Sequence, residues 1–228
     1  MGKNDNGNNG RTELVFVVDR SGSMGGLESD AIGGFNSMLS KQRTIAGECR
    51  VTTLLFDHRI ETLHNHLDIR EVNDLTSRDY WVRGSTALLD AIGLAIDRMI
   101  VTQRHTAAAY RAQHVLFVII TDGYENASRR YSLHQIKQMI TYERERYHWE
   151  FVFLGANIDA EQTAGDFGIS PRCATDFHAD GQGIKASFEA VACAATAVRG
   201  GADLDDLNAP DFLGGVRDDY RSRRRMKR

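Results

Sequence analysis

Three short apolar runs constrain the fold more than any other feature of the sequence. They cover residues 13–18 (ELVFVV), 114–120 (HVLFVII) and 149–154 (WEFVFL), and they are rich in Val, Ile and Phe. Their apolar residues are continuous rather than alternating, which is typical of strands that are covered on both faces, as in a parallel sheet. The runs therefore predict the central strands of a mostly parallel sheet.

Helical patterns separate and follow these runs. Apolar residues recur at helical spacing in three sets: Leu27, Ala31, Phe35 and Met38; Leu88, Ile92, Ala95 and Met99; Ile184, Phe188, Val191 and Ala195. Segments 132–135 (SLHQ) and 159–162 (DAEQ) resemble capping boxes, which mark helix starts. Strands that alternate with helices of this length predict a doubly wound, Rossmann-like α/β fold with helices on both faces.

Residues 50–66 differ from this pattern. The segment VTTLLFD reads as a strand, Asp57-His58-Arg59 as a turn, and residues 60–63 as a more polar second strand. Two strands joined by a short turn predict a hairpin. We therefore expect one antiparallel strand at an edge of the sheet.

Composition bounds the class of protein. The chain has 228 residues, of which 42% are apolar and 26% charged, as in a soluble protein with one well-buried domain. A net charge of −3 is too small to indicate a polyanionic or polycationic partner for the whole chain. The three cysteines, Cys49, Cys173 and Cys193, are odd in number and lack C-x-x-C spacing, which favours reduced thiols inside a cell.

The N-terminal segment MGKNDNGNNG is polar and lacks the apolar core of a secretory signal. No uninterrupted apolar stretch approaches the roughly 18 residues of a membrane span. We therefore expect a cytoplasmic protein without a membrane partner.

Three loop segments carry compact oxygen ligands next to the predicted strands and helices. They are 19–23 (DRSGS) after the first run, 121–123 (TDG) after the second, and 83–86 (RGST) before the helix at 88–102. Ligands of doubly wound sheets gather at the carboxyl ends of the strands, near the point where the strand order reverses. We therefore expect these loops to meet at one edge of the sheet.

Two carboxylates and three hydroxyls around one point suit a hard cation. Mg²⁺ prefers about six oxygens in an octahedral array and tends to retain water. No Cys or His falls in these loops, which disfavours zinc and copper. We predict a Mg²⁺ site that also accepts Mn²⁺ or Ca²⁺, with five candidate metal residues: Asp19, Ser21, Ser23, Thr86 and Asp122.

These elements resemble the metal-ion-dependent adhesion site (MIDAS) of the von Willebrand factor A (VWA) domain, with D-x-S-x-S at 19–23, a threonine at 86 and T-D-G at 121–123. The resemblance covers residues 12–200, and FLGANIDA at 153–160 is similar to bacterial intracellular single-domain members. It implies direct metal contacts from the three hydroxyls, and contacts largely through bound water from the two carboxylates. Ser85 departs from the family, where many members have a second glycine, but its presence removes no ligand.

Direct contacts from neutral hydroxyls would leave much of the charge of the cation uncompensated. One coordination position would then accept an oxygen from outside the chain, and an Asp or Glu carboxylate of another protein fits that need. The sequence therefore predicts a metal-dependent protein–protein interaction module rather than an enzyme.

A Mg²⁺-dependent hydrolase such as a phosphatase is the alternative. Such a mechanism normally needs a general base or a nucleophile near the metal, whereas Ser21 and Ser23 are assigned to the metal itself. The sequence has no G-x-S-x-G elbow, Walker loop or G-x-G-x-x-G motif. These observations favour binding over catalysis.

Four further side chains have competing interpretations. His64 and His66 would form a transition-metal pair only with a third ligand, so an exposed polar edge is the favoured interpretation. Asp90 is expected to interact with the dipole of its own helix. Glu125 would either help form the partner surface or belong to a polar turn, and the hypothesis that it occupies the open metal position in a resting state is not favoured.

The ends of the chain differ from the middle in composition. We predict a flexible N-terminal tail (1–11), a VWA-like domain (12–200), and a linker with a basic C-terminal tail (201–228). Residues 217–228 hold seven basic and two acidic side chains, which is typical of a solvated, disordered tail. Tyr220 is the single aromatic residue there, so nucleic acid is not a favoured partner.

Overall fold

The computed structural model describes residues 10–226, which contain a six-stranded sheet and six α-helices. The strands are β1 (Thr12–Asp19), β2 (Cys49–Phe56), β3 (Ile60–Asp68), β4 (His114–Thr121), β5 (Glu150–Gly155) and β6 (Ala174–Asp176). The helices are α1 (Glu28–Arg43), α2 (Leu88–His105), α3 (Leu133–Tyr147), α4 (Ala160–Phe167), α5 (Gly181–Arg199) and α6 (Gly214–Met226).

The sheet has the strand order β3-β2-β1-β4-β5-β6. All neighbouring strands are parallel except β2 and β3, which form the predicted antiparallel hairpin at one edge. The order reverses at β1, which lies between β2 and β4 and is buried along its whole length. The prediction of a doubly wound, mostly parallel sheet with one antiparallel edge strand is confirmed.

Helices cover both faces of this sheet. Phe35 of α1 packs edge-on against Phe16 of β1 and Phe188 of α5, with ring centroids 5.3 and 6.3 Å apart. Helices α2, α3 and α4, which contact one another in that order, form the second layer. The three predicted apolar runs lie between the two layers, where burial of their side chains is the main source of stability.

Local signals set the start of two helices. Ser132 forms the predicted capping box at α3, in which its hydroxyl accepts a bond from the Gln135 N–H (3.3 Å) and Gln135 Oε1 accepts one from the Ser132 N–H (2.8 Å). Asp159 caps α4 by accepting a bond from the Gln162 N–H at 2.9 Å. These side chains satisfy backbone N–H groups that the helices themselves leave unpaired.

The C-terminal segment is packed onto the domain. Leu204, Leu213 and Val216 are buried, and Tyr220 of α6 lies against His178 with ring centroids 4.6 Å apart. Arg217 donates hydrogen bonds to the carbonyl oxygens of three residues near β6: Pro171, Arg172 and Ala174. The expectation of a solvated, disordered tail at residues 217–228 is therefore wrong over residues 217–226, which belong to α6.

At the other end of the chain, residues 1–9 of the predicted N-terminal tail lie outside the described residues. Arg11 pairs with Glu48 at 2.5 Å. The domain boundary at residue 200 stays a prediction.

Deleting residues 217–228 removes the three bonds of Arg217 and the stacking of Tyr220. We expect the Tm to fall by about 2–8 °C, since groups of this kind contribute about 1–2 kcal/mol in total and each kcal/mol shifts the Tm of a domain of this size by about 2–4 °C. Differential scanning calorimetry measures the change. Arg225→Ala, at an exposed position of α6, is the control and should leave the Tm unchanged. A Tm that the deletion does not alter would contradict the packing role of α6.

Candidate metal centre

The structure brings the three predicted loops together at the carboxyl-terminal edge of the sheet. β1 and β4 are neighbours in parallel register, so Asp19 and Thr121 end adjacent strands. The loop at 83–86 is bonded to the loop at 19–23, because the Gly22 N–H donates to the Gly84 carbonyl at 3.1 Å. All three loops therefore share one site.

The hydroxyl groups converge around Gly123. The Oγ atoms of Ser21 and Ser23 are 3.0 Å apart, on either side of Gly22 at the start of a short 3₁₀ turn (Gly22–Met24). A methyl group placed on the Cα of Gly123 would lie 3.5 Å from Ser23 Oγ and 3.8 Å from Thr86 Oγ1. Ser23 Oγ and Thr86 Oγ1 both lie within 4 Å of this position, so the serine and threonine loops meet beside the end of β4.

Asp19 is the more firmly held of the two carboxylates. It is fully buried, and its oxygens accept bonds from the Ser21 N–H at 2.6 Å and the Thr121 hydroxyl at 2.7 Å. Burial raises the pKa of Asp19, and the bonds from Thr121 and Ser21 oppose that rise. The Tyr80 hydroxyl donates to the Asp19 carbonyl oxygen at 2.5 Å, a contact that the sequence did not indicate.

Asp122 differs because neither of its carboxylate oxygens has a hydrogen-bond partner among the described residues, although the side chain is buried. Burial raises its pKa, the nearby Ser23 hydroxyl opposes the rise, and the negative charge of Asp19 adds to it. A buried carboxylate without a partner is costly to the fold. A bound cation would supply the missing partner, so the residues present fit the predicted metal.

The donor set also indicates the class of metal. Two carboxylates and three hydroxyls offer hard oxygen ligands, which suit Mg²⁺, Mn²⁺ or Ca²⁺. Within residues 10–226, no group of three or more His, Cys, Asp or Glu side chains is placed to hold a metal ion. The site at the sheet edge, which depends on hydroxyls, is thus of a different kind from a carboxylate or imidazole cluster.

Glu125 does not point to the open side of this site. One of its carboxylate oxygens accepts bonds from the N–H groups of Ala127 and Ser128, and the other from the Leu89 N–H and the Ser128 hydroxyl, all at 2.7–2.9 Å. The bond from Leu89 joins the loop after β4 to the start of α2, and the other three stabilise the loop itself. The hypothesis that Glu125 occupies the metal position in a resting state is wrong, and the polar-turn interpretation holds.

Asn126 contributes to the site without being a candidate ligand. Its side-chain oxygen accepts a bond from the Thr86 N–H at 2.9 Å, and its own N–H donates to the Thr86 carbonyl at 3.0 Å. The pair fixes the backbone of Thr86 from both sides. Sequence analysis missed this role because the two residues are 40 positions apart.

Asp90 has the structural role that the sequence predicted, but with another partner. Its carboxylate accepts bonds of 2.8–2.9 Å from the N–H groups of Arg129, Arg130 and Tyr131. Asp90 lies in the first turn of α2, as predicted, and it also anchors the segment at 129–131 to that helix.

The two histidines of β3 do not form a metal pair. His64 is buried, and its Nδ1 lies 3.0 Å from the Thr53 hydroxyl. His66 Nδ1 lies 2.8 Å from a carboxylate oxygen of Glu13. The favoured interpretation of an exposed polar edge is thus wrong for His64, which packs against the ring of Phe35.

The molecule is a doubly wound α/β domain, as its strand order and its two layers of helices show, and it carries an oxygen-rich site at the carboxyl edge of the sheet.

Neither the protein-family models nor the curated proteins give a match to the chain. Solved structures do match. PTMP1 (proximal thread matrix protein 1) from the mussel byssus, with a zinc-occupied MIDAS motif, has a TM-score of 0.58 at 15% identity, over 82% of this chain and 46% of that one.

A second similar structure is the manganese-loaded TRAP protein of Plasmodium vivax. Its TM-score is 0.53 at 15% identity, over 78% of this chain and 72% of that chain. The present chain spans about half the length of PTMP1, since it covers 46% of it. At such low identity the likeness concerns the fold, and the fold is that of the VWA domain.

Asp122→Asn should change the folding stability and the Mg²⁺ affinity in opposite directions. Because the Asp122 oxygens have no hydrogen-bond partner among the described residues, removing the charge should raise the Tm in EDTA by about 2–4 °C, corresponding to about 1 kcal/mol. The same change should weaken Mg²⁺ binding by at least about tenfold, as expected when one contact worth 1.4 kcal/mol or more is lost. Scanning calorimetry in EDTA and isothermal titration with MgCl₂ provide the two measurements.

Asp19→Asn is the matched comparison, since Asp19 accepts two hydrogen bonds from the chain. It should lower both the Tm and the Mg²⁺ affinity. If Asp122→Asn lowered the Tm and left Mg²⁺ binding unchanged, the assignment of Asp122 to the metal would be refuted.

Proposed function

We propose that this chain is a metal-dependent protein-interaction module that docks a carboxylate of a partner on a bound Mg²⁺ ion. The proposed metal residues are Asp19, Ser21, Ser23, Thr86 and Asp122. The observation that carries the proposal is the buried carboxylate of Asp122, which lies beside the converging hydroxyls and has no hydrogen-bond partner within residues 10–226. When bound, the cation would supply a positively charged centre with room for one more oxygen.

Exposure of the site residues indicates how a partner would approach. Ser23 is exposed, whereas the other four proposed metal residues are buried. The site therefore opens to solvent at the serine turn. An incoming side chain has to be long and narrow enough to reach a recessed centre, which suits the carboxylate of an Asp or Glu residue.

The surface beside the opening is suited to a protein partner. Tyr124, which follows Gly123, is 60% exposed, and Trp81 is 43% exposed. The guanidinium of Arg83 lies 4.3 Å from the centre of the Trp81 ring. Tyr, Trp and Arg are the residues that most often dominate binding energy in protein–protein interfaces.

The similar structures support the metal-dependent part of the proposal. PTMP1 was solved with zinc in its MIDAS motif, and the Plasmodium vivax TRAP protein was solved loaded with manganese. Both metals are divalent, so the likeness supports a divalent cation. Our preference for Mg²⁺ follows from the oxygen ligands of this chain.

The hydrolase alternative receives no support from the side chains around the site. Three nearby carboxylates outside the proposed metal residues, those of Asp57, Asp90 and Glu125, accept hydrogen bonds from the chain. A general base needs a free position within reach of a metal-bound water. We therefore propose binding rather than catalysis.

No helix among residues 10–226 is long and apolar enough to cross a membrane. The cytoplasmic location and the bacterial origin stay predictions.

Peptide selection tests the proposed function without knowledge of the natural partner. Peptides selected on the purified chain in MgCl₂ from a random displayed library should share an Asp or Glu residue. Changing that residue to Asn or Gln, or adding EDTA, should abolish binding in biolayer interferometry. Thr86→Ala should weaken peptide binding more than Mg²⁺ binding, because the family resemblance implies that this threonine contacts the metal chiefly when the partner oxygen is present.

Two outcomes would contradict this prediction. Peptides that bind equally well in EDTA would show that docking does not depend on the metal. Turnover of p-nitrophenyl phosphate in Mg²⁺, lost in EDTA and in Asp122→Asn, would favour the hydrolase alternative instead.

A further inference from the structure

Asp57 is a buried carboxylate beside the metal centre that is not among the proposed metal residues. It follows β2 directly, and its side chain has no exposure to solvent. Sequence analysis assigned Asp57, His58 and Arg59 to an ordinary turn. The structure instead shows that Asp57 contacts both loops whose serine and threonine hydroxyls are proposed to bind the metal.

The first contact is with the serine loop. Arg20 lies between Asp19 and Ser21, and its Nε donates to Asp57 Oδ2 at 3.2 Å. The Arg20 side chain is fully buried, and its backbone N–H donates to the Phe56 carbonyl at 2.8 Å. A buried guanidinium depends strongly on its charged partner. Asp57 therefore fixes the backbone that carries the serine hydroxyls.

The second contact is with the threonine loop. Arg83 Nε donates to the same Oδ2 atom of Asp57 at 2.7 Å, and the Ala87 N–H donates to the Asp57 carbonyl at 2.9 Å. These two bonds lie on either side of Thr86. Asp57 thus holds the threonine loop before and after the residue whose hydroxyl faces the site.

The other carboxylate oxygen fixes the orientation of Asp57. Oδ1 accepts a bond from the Arg59 N–H at 2.7 Å and lies 3.0 Å from His58 Nδ1. Burial raises the pKa of Asp57, but the bonds from Arg83 and Arg59 and the charges of Arg83 and Arg20 outweigh it, so the pKa is lowered. The group that links the two loops is therefore a carboxylate anion.

We propose that Asp57 is the positioning residue of the metal centre, holding Arg20 and Arg83 on one carboxylate oxygen so that the serine and threonine hydroxyls keep the separation that the cation requires. The inference rests on the proposed function, since it concerns the same site. Mg²⁺ demands near-ideal octahedral geometry, so small shifts between ligand-bearing loops reduce its affinity.

Arg83→Gln is the decisive variant because it cuts the side-chain link to the threonine loop and leaves the buried pair of Arg20 and Asp57 in place. We expect Mg²⁺ affinity, measured by isothermal titration, to fall by about tenfold to a hundredfold, the range typical of residues that orient metal ligands. The Tm in EDTA should change little. Loss of a positive charge near the site would by itself strengthen cation binding. A fall in Mg²⁺ affinity would therefore show that Arg83 positions the loop, because the effect of its charge would be in the opposite direction.

Glu61→Gln is the matched control. Glu61 is the second partner of Arg20, at 2.7 Å from Nη2, and half of its side chain is exposed. The variant removes a negative charge as Asp57→Asn does, but it leaves the threonine loop untouched. We expect Mg²⁺ affinity to stay within about twofold of the wild type.

Asp57→Asn completes the set and should lower both the Mg²⁺ affinity and the Tm, since it removes the charge that accompanies buried Arg20. A purely structural role for Asp57 would lower the Tm alone, with unchanged Mg²⁺ affinity below the Tm. If Asp57→Asn does not fold, the comparison of Arg83→Gln with Glu61→Gln decides.

The same Mg²⁺ titrations distinguish a failure of this inference from a failure of the proposed function. A wild-type chain that binds no Mg²⁺ would refute the proposed function. A wild-type chain that binds Mg²⁺, together with an Arg83→Gln variant that binds it equally well, would refute only the role of Asp57.

Discussion

Two negative charges are buried side by side at the ends of the central strands, and the organisation of the site follows from this constraint. Asp19 ends β1, Asp122 follows β4, and the charge of Asp19 raises the pKa of Asp122. The chain offsets one of these charges with hydrogen bonds from Ser21 and Thr121. It leaves the other without a hydrogen bond from the described residues. Under the proposed function, a bound cation would supply the partner that this buried carboxylate lacks among the described residues.

The loops around the candidate site are held by residues that are not among the candidate metal ligands. Glu125 and Asn126 bind the start of α2 and Thr86, and Asp57 binds the two arginines that flank the hydroxyl-bearing loops. Each of these side chains accepts hydrogen bonds from segments that are distant in sequence. The candidate ligands therefore occupy a rigid frame, and irregular loops can present oxygens with the accuracy usually associated with regular elements.

The sequence predicted those strands and loops whose structure is determined by residues close together in the chain. Continuous apolar runs predicted β1, β4 and β5, and the three loops with small polar residues were found because they follow or precede such patterns. Asp57 was missed because its partners Arg20 and Arg83 are 37 and 26 residues away, so its spacing carries no signal. The packing of the C-terminal segment was missed for another reason, since Leu204, Leu213 and Val216 are few and widely spaced among charged residues.

Helix α6 also covers part of the sheet edge formed by β6. β6 is a three-residue edge strand, and an unpaired strand edge is a template on which another chain can add a strand. Arg217 occupies the carbonyl groups of Ala174 and of the residues before it. By occupying these carbonyl groups, the helix blocks part of this edge against the addition of another strand.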